Sequence, residues 1–178
     1  MSGAPEATAH DSYADACIAD ILRSVRTVAV VGASANAVRP SYFVTQYLVS
    51  KGYEVWPVNP GRAGGKIAGL PAYATLADCP AVPDLVDVFR RPEALPGIVD
   101  GIEALPALPK VVWLQLGIRD DAVAARLEGQ GVAVVQNRCT KIEYARLSGE
   151  IGWTGYNRGT ISSRRPRLAK GFQHYGLD

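Results

Sequence analysis

Residues 27–41, TVAVVGASANAVRPS, constrain the fold of this chain more than any other stretch. The continuous apolar run Val28–Val31 suits a strand covered on both faces, as in a parallel sheet. Gly32, Ala33 and Ser34 then make a turn of small residues, and a helical pattern begins near Ser41. A strand, a small turn and a helix in that order form a phosphate-binding corner. The helix aims its free N–H groups and the positive end of its dipole at the turn. The corner departs from the G-x-G-x-x-G fingerprint, because Ser34 and Ala37 occupy the second and third glycine positions and Arg39 lies in the loop. It predicts a bound phosphate without selecting a nicotinamide dinucleotide.

Alternation continues along the chain. A first helix, capped by Asp11 or Ser12, carries Ile18, Ile21, Leu22 and Val25 at helical spacing. After the strand at 27–31 come a helix from Ser41, as its cap, to Lys51 and a strand at 53–58 stopped by Asn59-Pro60-Gly61. A loop rich in Gly, Arg and Lys follows, then strands at 84–89, 110–116 and 132–136, separated by a helix opened by Pro92 and another at 120–130. Thr140–Leu147 reads as the last helix. Five strands alternating with helices predict an α/β single domain, a doubly wound parallel sheet with helices on both faces and strand order 3-2-1-4-5. The expected organisation is a disordered lead at 1–11, the nucleotide-binding domain at 12–148 and a basic tail at 149–178.

In such sheets ligands bind outside the carboxyl ends of the strands, where the strand order reverses, which the predicted order places between the first and fourth strands. The strand ends read Gly32-Ala33-Ser34, Asn59-Pro60, Phe89-Arg90-Arg91, Gln115-Leu116-Gly117 and Asn137-Arg138-Cys139. With Arg39, Arg62 and Lys66 they make one edge cationic, which suits a ligand with more than one phosphate. An NAD site places a carboxylate after the second strand to hold the ribose 2′ hydroxyl. This chain has Asn59-Pro60 there, with Arg62 and Lys66 nearby, a pattern that favours NADP or coenzyme A over NAD.

A formal charge of +2 argues against nucleic acid or membrane as the main partner. A hydrophobic content of 48% supports a proper core. No stretch approaches the roughly 20 apolar residues of a membrane span, and the first residues lack a secretory pattern. Cys17, Cys79 and Cys139 are too few and too scattered for a disulfide framework or a zinc site, so a reduced, cytoplasmic protein is expected.

The segments VAVVGAS followed by RPS, then YEVWPVNP, PDLVDVFRRPE, VVWLQLGI and NRCTKIEYARL, resemble the small CoA-binding domain proteins. These are relatives of the nucleotide-binding domain in the succinyl-CoA synthetase alpha subunit. The resemblance covers roughly residues 12–148 and implies a Rossmann-like fold with CoA or an acyl-CoA as ligand. By that resemblance, Gly32, Ala33 and Ser34 cradle the pyrophosphate with Arg39 beside them. Asn59, Pro60, Phe89 and Arg90 border the adenosine part, and Gln115, Leu116 and Gly117 face the pantetheine. Arg91, Asn137 and Cys139 complete the strand-end set. The family often reads KIEH where this chain has Lys141-Ile142-Glu143-Tyr144, so no histidine role carries over.

Catalytic machinery is thin. His10 and His174 lie in the terminal segments, outside the expected core, and no nucleophile–base or metal-ligand spacing occurs. Asp87, inside an apolar strand, reads as a structural hydrogen-bond acceptor, and Trp113 as core. Cys139 reads as a small core residue or as a thiol facing a ligand thiol. Lys141 and Glu143 sit on a helix where exposure is the default. The residues therefore point to a CoA-binding carrier, sensor or regulatory module and not a self-sufficient enzyme. Alternatives are an NADP-dependent oxidoreductase, a CoA-ligase-type subunit needing a partner, and a nucleic-acid binder using the tail. A homodimer through the C-terminal arm is a further expectation.

Overall fold

The computed structural model of the chain describes residues 10–150. Its elements run α1 (Asp15–Ser24), β1 (Thr27–Val31), α2 (Pro40–Ser50), β2 (Glu54–Val58), β3 (Lys66–Ile67), β4 (Leu70–Pro71), β5 (Leu85–Val88), α3 (Leu95–Glu103), β6 (Val111–Leu114), α4 (Asp121–Glu128), β7 (Ala133–Val135) and α5 (Thr140–Leu147). The apolar runs found in the sequence become five parallel strands in the order β2-β1-β5-β6-β7. Strand periodicity splits the run after Thr27 between two cores. Val28 and Val30 join one with Ile18, Leu22, Val44, Leu48 and Tyr144, and Ala29 and Val31 join the other with Leu95, Val99 and Leu127. Helices α1, α2 and α5 thus cover one face and α3 and α4 the other, which makes the sheet doubly wound. Trp113 is fully buried, with its indole N–H donating to the Arg138 carbonyl.

The strand order corrects one expectation. Counting sheet strands along the chain, the order is 2-1-3-4-5 in place of 3-2-1-4-5. The outer edge of β2 is taken by the segment that follows it: Tyr73 donates its N–H to Pro57 and accepts from Asn59. The β3–β4 hairpin beside this segment fills the space a third strand would need. The chain then returns to the free side of β1, where Val28 pairs with Leu85 and Val31 with Val88. The switch point therefore lies between β1 and β5, not between β1 and the fourth sheet strand, β6.

Local signals differ in smaller ways. Helix α1 starts at Asp15 after Ala14, which supplies no side-chain cap, so neither Asp11 nor Ser12 caps it. Helix α2 opens with Pro40, and Ser41 does not cap it. Helix α4 does have a side-chain cap, Asp120, which accepts from the Val123 N–H. His10 is not outside the core: it is buried, bonds the Tyr13 hydroxyl at 2.8 Å and lies 3.5 Å from Glu128. Glu143 is buried rather than exposed, held by Arg146 at 2.6 Å. Residues 1–9 and 151–178, with His174 and most of the basic tail, lie outside the described residues.

Candidate functional site

Gly32 closes β1 with a φ of +86°, a conformation that favours glycine. Its N–H donates to the Val58 carbonyl, and the Phe89 N–H donates to Val31, so the ends of β2, β1 and β5 are tied side by side. A Cβ at Gly32 would meet Arg90 Cδ at 2.8 Å. The missing side chain is what lets Arg90, leaving β5, lie across the small-residue turn. The switch point thus brings a guanidinium stem onto the small-residue corner, two features that lie on separate strand ends in the sequence.

The turn is held from both sides. Asn59 donates its side-chain N–H to the Ala33 carbonyl at 2.7 Å and accepts from the Gly61 N–H at 2.9 Å. Ser41, in the first turn of α2, accepts from the Ser34 N–H at 3.0 Å. The Ser34 hydroxyl accepts from Asn36, and the Asn36 side chain accepts from Val38. The N–H groups of Ala33 and Ala35 keep no protein acceptor among the described residues. A loop braced in this way, with spare donors beside a helix start, can take an anion without reorganising.

The other strand ends divide. Leu116, after β6, is 58% exposed and Val38, in the loop after β1, 73%, so each of these loops leaves an apolar side chain in water. Gly117 is exposed, and its N–H donates to the Asn137 side chain, which joins the β6 and β7 loops. Gln115 turns inward. It is buried and donates to Asp87 at 2.7 Å and to the Thr140 hydroxyl at 3.0 Å, while Thr140 donates to the other Asp87 oxygen. Asp87 is thereby a structural acceptor under the site. Burial, against the lowering effect of these bonds, pushes its carboxyl up to about 7. Cys139 is half-buried before α5. Burial holds its thiol above the ordinary value, although the Ile142 and Lys141 N–H groups act to lower it. Nothing here activates it as a thiolate.

Cations differ in their pairing. Arg119, Arg126, Arg146 and Lys110 each meet a carboxylate within 3 Å. Arg39, Arg62, Lys66, Arg90 and Arg91 meet none among the described residues, and all are exposed. The residues that sequence reading missed are Ser41, Val38 and Thr140. Ser41 carries the signal of a cap, and its true partner is seven residues back in the chain.

The family model described as CoA binding domain matches residues 26–145. The chain belongs to the CoA-binding domain family. The uncharacterized protein YneT of Bacillus subtilis (strain 168) is 34% identical over 128 residues, spanning 72% of this chain and 92% of its own. A solved protein from Thermus thermophilus, cell-free ID.343, is 38% identical with a TM-score of 0.71, covering 75% of this chain and 98% of its own. A hypothetical protein from Pyrococcus horikoshii OT3 is 30% identical with the same TM-score of 0.71, covering 83% and 98%. The CoA-binding domain thus extends from just before β1 into α5. No helix among the described residues is long and apolar enough to cross a membrane.

Proposed function

We propose that this CoA-binding domain takes coenzyme A or an acyl-CoA at the carboxyl-terminal edge of its sheet and serves as a carrier, sensor or regulatory module. The observation that carries the reading is the group of exposed cations, Arg39, Arg62, Lys66, Arg90 and Arg91, that meet no carboxylate among the described residues, with Arg90 lying across the Gly32 turn. Leaving several positive charges unpaired on one edge is unfavourable unless an anion completes them. In this reading the pyrophosphate sits at Gly32–Ser34 under Arg90, with Arg39 and Arg91 beside it. Arg62 and Lys66 meet a phosphate on the adenosine ribose, where an NAD-binding chain would carry a carboxylate. Val38, Leu116 and Gly117 line the path of the pantetheine, and Cys139 lies near its thiol end. Free Cys17, Cys79 and Cys139 suit a reducing, cytoplasmic setting.

Calorimetric titration with CoA, dephospho-CoA, NADP and NAD at fixed salt tests this. The expected order is CoA tightest, dephospho-CoA weaker and the nicotinamides absent. The Arg90→Ala/Arg91→Ala variant should lose about tenfold or more in CoA affinity, the loss expected for charge-assisted contacts. Binding of NADP without CoA would overturn the reading in favour of an oxidoreductase.

A further inference from the structure

We propose that a cavity at the opposite, amino-terminal edge of the sheet binds a small organic phosphate, independently of the strand-end site. The cavity, of about 300 Å³, lies between the ends of α1 and α2 and the middle of α5, and Arg23, Arg26, Lys51, Tyr53 and Tyr144 contribute to its lining. Its size is at the lower end of small-molecule sites. The lining holds three cationic side chains and no carboxylate. Asp20 and Glu150, which pair with Arg23 and Lys51, stand outside it.

The C-terminal ends of α1 and α2 reach this edge and would disfavour an anion if their carbonyls were open. On α1 they are taken: Leu22 accepts from the Tyr53 hydroxyl, Arg23 from the Arg26 guanidinium and Ser24 from Lys110. At the end of α2, Tyr47, Leu48 and Val49 accept from the Lys51, Gly52 and Tyr53 N–H groups. With Arg23 and Lys51 paired to carboxylates, Arg26 is the lining cation that meets no carboxylate among the described residues.

Tyr144 points the same way. It is only 6% exposed, and its hydroxyl makes no hydrogen bond among the described residues. Among the described residues no buried side-chain oxygen or nitrogen lacks a partner, so that hydroxyl is not sealed from solvent, and Tyr144 is one of the residues that line the cavity. The ring is fixed edge-on against Tyr47 and Tyr53, with the Lys51 ammonium 5.7 Å from its centre. A rigid hydroxyl donor in the same lining as the Arg26 guanidinium matches the acceptor-rich head of a phosphate ester. Leu22 and Val25 offer apolar surface to the organic part.

The test is titration of the full chain with glycerol 3-phosphate and with inorganic phosphate, with and without saturating CoA. Saturable binding of the ester, tighter than that of inorganic phosphate and unchanged by CoA, is expected. Tyr144→Phe should leave the unliganded melting temperature unchanged, because it removes a hydroxyl without a partner. Both Tyr144→Phe and Arg26→Ala should weaken ester binding by about tenfold, the loss of one charge-assisted hydrogen bond. Arg90→Ala/Arg91→Ala should not affect it. Absence of saturable ester binding, indifference to Tyr144→Phe and Arg26→Ala, or loss in the Arg90/Arg91 variant would each overturn the proposal.

Discussion

Asn59 and Asp87 show how single polar residues set the geometry of the strand-end edge. Asn59 spends both ends of its amide on backbone, one on the Ala33 carbonyl in the loop after β1 and one on its own turn. Asn59→Ala should lower stability by about 1–2 kcal/mol in urea titration and weaken CoA binding, because the Ala33 carbonyl loses its tether. Asp87 acts through its environment. With its folded carboxyl raised to about 7, the native state holds a proton that the unfolded chain releases near pH 4. Its effect therefore favours folding at low pH, and that contribution is lost as pH rises from about 4 to 7, then stays flat. Asp87→Asn should remove this slope and be more stable than the parent at pH 8, on the order of a few kcal/mol, with the advantage shrinking at pH 5. Urea midpoints at the two pH values decide it. A constant difference would mean that Asp87 stays ionised. At Ala68, φ is +51° in the β3–β4 turn, where Gly69 follows at +82°. Two positive φ values suit Asn-Gly, so Ala68→Asn should stabilise the hairpin by up to about 1 kcal/mol.

Elements differ in how completely their ends are specified. Helix α4 has a side-chain cap, whereas α1 begins at Ala14 with none. Ala14→Ser should raise stability by about 1 kcal/mol, read as a shift of the thermal midpoint with the rest of the fold unchanged. Helix α2 uses its first turn differently, since the Ser41 hydroxyl holds the Ser34 N–H. That link braces the loop after β1 against the start of α2. Ser41→Ala should therefore reduce CoA affinity more than it reduces stability, an outcome visible by comparing titration with melting. The helix itself was legible from its apolar spacing. Its serine was misread because capping and loop bracing use the same residue type in the same place.

For the whole molecule, charge distribution is the main prediction. Cations clustered at one edge attract a polyanion over a distance that salt shortens. CoA affinity should fall steadily as sodium chloride rises, and less steeply in the Arg90→Ala/Arg91→Ala variant, which calorimetry at several salt concentrations measures. Strand order belongs to this scale too. Because β5 enters beside β1, Arg90 lies over Gly32. An order of 3-2-1-4-5 would have put that arginine beyond β2, away from the small-residue turn.

The sequence by itself determined the five strands of the main sheet, the five helices and their succession, the small-residue corner after β1 and the cationic set at the strand ends, while the β3–β4 hairpin falls in a segment that reads as loop. Those features depend on local periodicity, on turn chemistry and on where each strand run stops. Only the tertiary structure decided which strands are neighbours, that Gln115 turns inward to Asp87, that Ser41 braces Ser34, and that His10 and Glu143 are buried. Each of these depends on contacts between residues apart in the chain, and the strand order also on competition for one edge. The segment around Tyr73 won the outer side of β2, and that choice placed the switch point where Arg90 meets the glycine.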